Sequence, residues 1–508
     1  MNKKSFWILT SSMVLIKLLI HFLTCTNYEL HRDEMLYFSM GSHLAWGFAS
    51  TPPVMSFLSF IIKSLFGYQE FFVKLFPALA GASIIILIAL FIRELGGKMM
   101  AVFTGCLAFI ISTAMLRSSS LFMPVIFELF FWMLFLFFVL KLIITENPRY
   151  WIWIGVSFGL AFLNKYSVLF LGGATFIALL ISEHRRLLLS KYVVYAVLAG
   201  LLIMLPNILW QANHNFAVVT HMGELYRTQL VYVSPATFLS EQIMMNFPSI
   251  IIWLSGLIGV ILFRKEKRLR VFGYIFLIVL ILFLVSRGKS YYTLGVYSMM
   301  FAFGGYILEK YFKKWIPGIL IVSVATSLLL LPLGLPLLPQ KQLKEYCSWF
   351  SKNINPAPMR SENNTYYPVP QDYTDMTGWN ELAKLASLAY NKLTDEQKRN
   401  CTVFANNYGQ AGALDFYGKK YNLPDPVCLN DSYIFWAPDS LSSGNFIVSD
   451  HDLGDIPDLF NTYTEIGEIK DDCFRENGLK IYLCQDPKPL LNEFVRKRIR
   501  KNKEIYGY

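Results

Sequence analysis

The sequence predicts a polytopic α-helical membrane protein that carries a C-terminal α/β domain outside the cytoplasm. The 508 residues are 55% hydrophobic with a mean hydropathy of +0.42, which excludes an ordinary soluble enzyme of this length. Long apolar runs extend to about residue 338, and the remainder has the composition of a soluble domain. Apolar stretches of about 18 or more residues are typical of membrane spans. We therefore predict a membrane domain over residues 1–339 and a soluble domain, with a basic C-terminal tail, over residues 340–508.

The net charge of +11 divides along the same boundary. Residues 1–339 contain 26 Lys+Arg and 12 Asp+Glu, a balance of +14, whereas residues 340–508 contain 20 and 23, a balance of −3. The basic excess therefore belongs to the membrane part. There it indicates topology and not a nucleic-acid-binding surface, so no nucleic-acid partner is predicted.

About eleven transmembrane helices are predicted from the apolar runs. Met1–Cys25 resembles a signal peptide, but no small-residue cleavage site closes it, so we interpret it as a retained first helix. The run at 151–163 is short, and Asn164–Lys165 separates it from the next, which predicts two short helices meeting at one face. The predicted spans lie near residues 6–26, 71–92, 99–116, 124–144, 151–163, 166–182, 192–210, 246–263, 271–286, 293–308 and 316–338.

The connectors between these spans alternate in charge. One set is rich in cations: Lys3 and Lys4; Arg93 and Lys98; Lys141 and Arg149; Arg185, Arg186 and Lys191; Arg264, Lys265, Lys267, Arg268 and Arg270; Lys310, Lys313 and Lys314. The other set is poorer: Arg32, Lys63 and Lys74; Arg117; Lys165; Arg227; Arg287 and Lys289. The positive-inside rule places the first set in the cytoplasm. The first connector, residues 29–70, and the soluble domain are then predicted outside.

Two regions outside the spans are predicted to be structured. Within the first outer loop, Phe57–Phe66 is too short to span and is interpreted as a helix lying in the membrane interface. In the soluble domain, Trp379–Leu393 has helical spacing with Thr377 as N-cap, and Thr402–Ala405 and Phe446–Val448 have strand character. Five cysteines there would allow one or two disulfides in an exported domain. The basic stretch at 495–504 could lie on anionic headgroups or form a solvated terminal helix.

Two acidic positions at the predicted outer ends of spans could carry chemistry, since ionisable groups near membrane depth are costly. Asp33–Glu34 could supply a general base towards a hydroxyl, or could be ordinary loop acids that cap a helix over 34–46. Glu128 lies in FMPVIFELFFW among aromatic residues. It should face a wet cavity rather than lipid, or else act as a snorkelling or helix-start charge.

Cations at the same predicted face could bind a phosphate. Lys165, in LNKYS, is a compact charge for a phosphate or a surface anchor at a helix end. In RGKSYY, Arg287 and Lys289 flank a glycine where a helix is predicted to begin, which favours an anion site. Tyr291 and Tyr292 follow and are also typical interface anchors.

The long outer loop over 211–245 contains a histidine-rich segment. His214, His221 and Glu224 could ligate a divalent ion, although their spacing matches no tight metal motif. A gating or acceptor-binding loop is the alternative. A divalent metal therefore remains a candidate cofactor without a defined ligand set.

The predicted charges gather at one interface, which favours an enzyme that acts on a lipid phosphate at the headgroup level. A transported ion would instead favour charges at mid-bilayer on broken helices. A transporter or flippase for a lipid-linked sugar is the main alternative, and it predicts charges distributed through the bilayer and no need for a base at Asp33. A polytopic anchor whose outer domain binds a partner is a third. The sequence has no Walker-type loop or other nucleotide-binding motif, so a nucleotide-dependent reaction is not predicted.

The sequence resembles a family of membrane glycosyltransferases. The stretch RDEMLYFSMGSHLAWGFASTPPVMSFLSFIIKSLFG, followed by KLFPALAGA, is similar to the start of the polyprenyl-phosphate-sugar-dependent enzymes of the GT-C fold. These are the protein O-mannosyltransferase and aminoarabinose-transferase relatives of glycosyltransferase family 39. The likeness runs from about residue 28 to 484 and follows the order of a bacterial branch: FELFFW, GLAFLNKYSVLF, LPNILWQ, RGKSYY, QDYTDMTGWNELA, NNYGQAGALDFYG and NDSYIFWAP.

The resemblance implies a multi-pass enzyme of the bacterial inner membrane that transfers a sugar, with inversion, from a polyprenyl phosphate to an outer-face acceptor. The acceptor would be lipid A or another glycolipid, a polysaccharide or a protein. Asp33 matches the family's loop base, Glu34 is its neighbour, and Glu128 stands where relatives usually have Asp. Lys165, Arg287 and Lys289 are the expected phosphate ligands. The remaining substrate-pocket candidates are Arg32, Tyr37, Tyr291, Tyr292 and His221.

Overall fold

The computed structural model of the chain describes residues 2–362, 364–441 and 443–506. Over these residues the first helices are α1 Lys3–Phe22, α2 Arg32–Met40, α3 Val54–Phe66, α4 Glu70–Glu94, α5 Met99–Ile111, α6 Thr113–Ser120, α7 Pro124–Thr145, α8 Tyr150–Phe162, α9 Val168–Ile181, α10 Lys191–Asn213, α11 Ala217–Thr228 and α12 Pro235–Met244. The later ones are α13 Ile250–Leu262, α14 Arg270–Val285, α15 Leu294–Tyr311, α16 Ile316–Gly334, α17 Gln340–Asn353, α18 Gln371–Thr374, α19 Trp379–Asn391, α20 Asp395–Arg399, α21 Tyr408–Phe416, α22 Ile456–Leu459 and α23 Pro489–Ile505.

Six described helices are long and apolar enough to cross a membrane. Two further pairs of helices pass the same test only together, each bent by 66°, so the described residues contain six to eight candidate spans. The six are Lys3–Phe22, Glu70–Glu94, Pro124–Thr145, Lys191–Asn213, Arg264–Val285 and Lys313–Gly334. The bent pairs are Met99–Ile111 with Thr113–Ser120, and Pro235–Met244 with Phe247–Leu262. The predicted polytopic helical fold class is confirmed.

The predicted number of eleven spans is larger than this count, although every predicted segment coincides with a helix. Helices α8 and α9 contain 13 and 14 residues, which at about 1.5 Å per residue reach only about 20 Å of a hydrocarbon core about 30 Å thick. They are the two short helices that the break at Asn164–Lys165 predicts. Helix α15 has 18 residues and is also not among the candidate spans.

The first compact unit comprises Met1–Cys25, Lys74–Ile208 and Leu225–Leu337. Helix α15 lies at its centre, is buried from Leu294 to Leu308, and packs against α13 and α5. A Cβ at Gly304 would lie 2.0 Å from the carbonyl oxygen of Ile252, so only glycine permits this close approach of α13 and α15. At the periphery, Leu202 and Ile321 are 72% and 70% exposed, as expected of side chains that face lipid.

The second compact unit comprises Thr26–Val73, Leu209–Glu224 and Leu338–Tyr508. It contains one five-stranded sheet in the order β2-β1-β3-β5-β4. The strands are β1 Cys401–Ala405, β2 Val427–Cys428, β3 Asn445–Asp450, β4 Phe460–Glu468 and β5 Lys480–Pro487. Strand β1 pairs in parallel with β2 and β3, whereas β5 pairs antiparallel with β3 and β4. This mixed sheet with flanking helices confirms the predicted α/β class.

Register and packing locate the core of this second unit. Ile447 of β3 lies opposite Val403 of β1 on one side and opposite Leu483 of β5 on the other. All three side chains are buried. On the sheet, Leu491, Val495 and Ile499 of α23 join a hydrophobic cluster with residues of β3, β4 and β5. The basic terminal stretch is therefore the outer face of a helix whose inner face is in the core.

In this unit, the predicted helices and strands are confirmed, whereas the predicted helix cap and disulfides are wrong. The helix at Trp379, the two strands and the helix over Phe57–Phe66 are confirmed. Thr377 is not the N-cap of α19: Gly378, with φ of 87°, holds that position, and the carboxylate of Glu29 accepts the amides of Trp379 and Asn380 instead. All seven cysteines are free, so the disulfides that an exported domain would allow are not formed.

The first loop belongs to the second compact unit, together with the sheet. Helices α2 and α21 pack closely, since a Cβ at Gly412 would lie 2.7 Å from the Cβ of Met35. This grouping differs from the predicted division at residues 339 and 340, which remains a prediction of domain organisation. Its consequence is that residues of α2 and α21, far apart in sequence, are neighbours.

Candidate functional site

The two acids of the first loop lie in the first turn of α2 and have different environments. Glu34 is fully buried, and its Oε2 accepts the backbone amide of His31 at 2.8 Å. The His31 Nδ1 in turn accepts the amide of Asp33 at 3.1 Å, which completes a capping box. Glu34 therefore fixes the start of the helix, whereas Asp33 is only partly buried.

A buried charge network surrounds the helix start. Asp375 is 1% exposed and receives two hydrogen bonds from the Arg475 guanidinium at 3.0 and 3.1 Å, while His31 Nε2 lies 3.5 Å from its Oδ2. Burial alone would raise the pKa of Asp375, but the His31 hydrogen bond and the charges of His31 and Arg475 outweigh it and lower the pKa to about 2. Burial likewise opposes the charged form of His31, yet hydrogen bonding to Asp375 raises its pKa.

Asp33 is bound by a tyrosine from the sheet-bearing part of the same unit. The Tyr408 hydroxyl donates to Asp33 Oδ1 at 2.9 Å, and the Arg32 guanidinium lies 4.4 Å from the centroid of the Tyr408 ring. Burial, and after it the charge of Asp33, hold the pKa of Tyr408 well above its usual value, so the hydroxyl is a donor at neutral pH. Within the described ranges no cation lies within 4 Å of the Asp33 carboxylate, and no hydrogen bond reaches its Oδ2.

In the first compact unit, Glu128 and Lys165 form a buried ion pair. Glu128 is 2% exposed, the Lys165 ammonium lies 2.8 Å from its Oε2, and the Ser167 hydroxyl donates to its Oε1. The ammonium also lies 4.4 Å from the centroid of the Tyr292 ring and 5.4 Å from that of Tyr291. The connector between the two short helices therefore provides a cation with aromatic faces around it.

The RGKSYY segment is tied to helix α12. Ser290 donates to Glu241 at 2.5 Å, and Gln242 accepts hydrogen bonds from Thr293 and Tyr297 at 2.6 and 3.0 Å. Lys289 Nζ lies 5.9 Å from the centroid of the Tyr291 ring, so four predicted residues of this unit form one cluster: Lys165, Lys289, Tyr291 and Tyr292. Arg287 has an exposed side chain and a φ of 54°, just after α14 ends.

The remaining candidates lie in the second unit. His221 Nδ1 is 3.8 Å from Asp431 Oδ2, and the backbone oxygen of Tyr37 accepts the Ser59 hydroxyl at 2.8 Å. His214 stacks on Trp210 with ring centroids 3.9 Å apart. The segment over 211–245, predicted as a long outer loop, is mostly helical, in α11 and α12.

The part of the chain that the structure describes contains one group of metal-type ligands, Asp471, Asp472 and Cys473, and it does not involve His214, His221 or Glu224. The Asp471 carboxylate accepts a hydrogen bond from the side-chain amide of Gln340, and the Asp472 carboxylate forms an ion pair with Lys344. The donors of this group are thus already engaged by the protein itself. The histidine loop is therefore not supported as a metal site among the described residues.

Sequence reasoning missed several residues that complete these clusters. Ser167 lies two positions from Lys165 in LNKYS, so its short polar side chain was a visible local signal. Tyr408, Asp375 and Arg475 gave no such signal, because they lie far along the chain from the first loop: Asp375 is 344 positions from His31, and Tyr408 is 375 positions from Asp33. The NNYGQAGALDFYG motif supports the family resemblance, but its first tyrosine, Tyr408, was not predicted to be a site residue.

Comparisons with known proteins agree with these features. A family model described as dolichyl-phosphate-mannose-protein mannosyltransferase matches residues 50–210. A lipid A galacturonosyltransferase, RgtD of Rhizobium johnstonii, is 28% identical over 197 residues, which are 38% of this chain. The matched region spans 41% of that relative's length, about two fifths.

Two solved structures share the fold over nearly the whole chain. They are crystal structures of ArnT from Cupriavidus metallidurans, one bound to undecaprenyl phosphate and one in the apo state. Both have a TM-score of 0.63 and cover 95% of this chain and 98% of their own, at 14% and 15% identity. The resemblance that the sequence motifs predict is therefore confirmed: residues 50–210 are similar to the dolichyl-phosphate-mannose-protein mannosyltransferases, and the chain has the GT-C-type fold of ArnT.

Proposed function

We propose that the protein is an integral membrane glycosyltransferase that moves a sugar from a polyprenyl phosphate to an acceptor hydroxyl. The match over residues 50–210 and the ArnT fold support the class of enzyme. The acceptor is lipid A or another glycolipid, a polysaccharide or a protein. The lipid A galacturonosyltransferase relative favours the first of these.

The observation that carries the proposed mechanism is the contrast between Asp33 and Glu34. Glu34 is buried and its carboxylate holds the helix cap, whereas Asp33 is partly exposed and its Oδ2 accepts no hydrogen bond from a described residue. A general base needs an oxygen lone pair within reach of the proton that it removes. We therefore assign Asp33 as the base and Glu34 as the residue that fixes the helix carrying it.

The reaction balances with these groups. The acceptor oxygen forms a bond to the anomeric carbon, and the bond from that carbon to the phosphate oxygen breaks with inversion. The acceptor proton passes to Asp33, and the electron pair remains on the phosphate, which leaves as a polyprenyl phosphate monoester. The leaving group gains one negative charge, which Lys165, Arg287 and Lys289 neutralise in this proposal. The aromatic rings of Tyr291 and Tyr292 hold Lys165 in place.

The proposed location is the bacterial inner membrane with the sheet-bearing part outside the cytoplasm. The multi-pass character follows from the candidate spans and the shared fold, and the cation-rich connectors support the orientation. Alkaline phosphatase fused after the last residue should be active in this orientation and inactive in the opposite one.

Mass spectrometry of lipid A, glycolipids and glycoproteins tests the function directly. Cells that produce the wild-type chain should gain a product heavier by one sugar residue, and cells that produce Asp33→Asn should not, although the variant inserts normally. Glu34→Gln is the matched control, because an amide oxygen can still accept the His31 amide. A product retained in Asp33→Asn would favour a transporter or an anchor instead.

A further inference from the structure

We propose that Tyr408 is the positioning residue of the Asp33 carboxylate, so that the C-terminal part of the chain completes the catalytic centre. The proposal rests on the proposed function, in which Asp33 is the base. Tyr408 does not touch the reacting atoms in this role. It fixes the orientation of the carboxylate and stabilises its charged form through the hydrogen bond to Oδ1 at 2.9 Å.

The placement of Tyr408 is determined by the helix that it begins. Tyr408 is the first residue of α21, and the Asn407 side chain caps that helix by accepting the amides of Gly409 and Gln410 at 2.9 and 3.1 Å. Asn430 accepts the amide of Tyr408 itself at 3.3 Å. A capped first turn has little freedom, so the hydroxyl has a defined direction.

Close packing brings that hydroxyl to Asp33. Helix α21 approaches α2 at glycines, where a Cβ on Gly412 would lie 2.7 Å from Met35 Cβ and one on Gly409 would lie 3.2 Å from Arg32 Nε. Arg32 covers the Tyr408 ring at 4.4 Å. A cation over the ring draws electron density from the phenol and makes its hydroxyl a better donor to a carboxylate.

The arrangement leaves one carboxylate oxygen for the substrate. Tyr408 engages Oδ1, and no described residue donates to Oδ2. The charged groups that surround the pair come from every adjoining segment, and the test must hold them constant. They are Arg32 on α2 and His31 at its N-cap, Asp372 and Asp375 at α18, Arg475 and Glu476 before β5, and Asp431 in the segment after β2.

Carbodiimide labelling of Asp33 tests the proposal without a sugar donor. The full-length protein in detergent micelles is labelled with a water-soluble carbodiimide and glycine ethyl ester across a pH series, and fragment mass spectrometry separates Asp33 from Glu34. Since the reagent attacks the protonated carboxyl, the midpoint reports its ionisation. In Tyr408→Phe, which keeps the ring under Arg32, the midpoint should move up by about one pH unit, because a hydrogen bond to the charged form is lost.

Two further variants make the result decisive. Tyr433→Phe removes a tyrosine hydroxyl that donates at 2.8 Å to Ser39 of the same helix α2, and its midpoint should equal that of the wild type. Incorporation of 3-fluorotyrosine at position 408 preserves shape and strengthens the donor, so its midpoint should move down. Equal midpoints in Tyr408→Phe and the wild type, or equal shifts in Tyr408→Phe and Tyr433→Phe, would overturn the proposal.

Failure of this proposal is distinguishable from failure of the proposed function. If Asp33→Asn abolishes transfer but Tyr408→Phe has the same labelling midpoint as the wild type, only the positioning role is wrong. If Asp33→Asn retains transfer, the base assignment fails whatever the labelling shows, and Tyr408 then only stabilises a structural carboxylate.

Discussion

Replacement of Lys165 by methionine should destabilise the protein far more than the same change at Lys141. Both lysines pair with a glutamate, at 2.8 Å to Glu128 and 2.9 Å to Glu94, and their side chains are similarly exposed, at 21% and 19%. The partners differ: the Glu128 side chain is 2% exposed and that of Glu94 is 31% exposed. The two variants therefore separate the effect of partner burial from that of the lost cation.

The expected loss of stability depends on how well water can solvate the glutamate that loses its lysine partner. Without Lys165, Glu128 keeps only the Ser167 hydroxyl and cannot be hydrated, which costs about 3–5 kcal/mol for a broken buried pair. Without Lys141, water can solvate Glu94, and loss of a partly exposed pair costs about 1 kcal/mol or less. Methionine preserves most of the apolar stem in each case, so packing changes little.

Thermal unfolding in detergent micelles can be followed by the circular dichroism signal of the helices. The melting temperature should be highest for the wild type, slightly lower for Lys141→Met and lowest for Lys165→Met. The double variant Glu128→Gln/Lys165→Met removes the buried charge and should recover most of the loss. Under the proposed function, binding of a polyprenyl phosphate should weaken in Lys165→Met and persist in Lys141→Met. Equal losses of stability in the two single variants, or no recovery in the double variant, would refute the reasoning.

Three further predictions concern the second compact unit. Glu34→Ala should lower the free energy of unfolding by about 1–2 kcal/mol through loss of the cap, whereas Asp33→Asn should leave thermal stability near wild type and remove transfer; the opposite pattern would exchange their roles. Gly412→Ala should cost about 1–3 kcal/mol and reduce transfer by separating α21 from α2, while Gly223→Ala, whose Cβ meets nothing within 4 Å, should be neutral in both assays. The folded-state pKa of Asp375 is lowered from 3.8 to about 2, so the stabilisation from its carboxylate is present above about pH 4 and is lost as the pH falls towards 2. This loss is on the order of 2 kcal/mol and should appear as a decline in the wild-type melting temperature over that range. Asp375→Asn should flatten the decline, and an unchanged decline in the variant would contradict the assignment.

Much of the fold was predictable because long apolar runs have few structural solutions. A helix satisfies its own backbone hydrogen bonds, so each of the eleven predicted segments is helical. Length was less reliable: α8 and α9 are apolar but too short to span, and their boundary at Asn164–Lys165 was visible only as a break in hydropathy. The caps were harder still, because Glu29, 350 positions before Trp379, accepts the amide that Thr377 was expected to bind.

The helical membrane class, the α/β class of the C-terminal part, and the acids and cations that could carry chemistry were all predictable from the residues alone. Hydropathy, charge alternation and short motifs encode these properties locally. Tertiary structure decided how those residues are used. Asp33 and Glu34 are adjacent and chemically alike, yet the fold buries Glu34 in a cap and gives Asp33 the hydroxyl of Tyr408, 375 positions away. No local pattern specifies that hydrogen bond, because it exists only where the glycines of α21 allow close approach to α2.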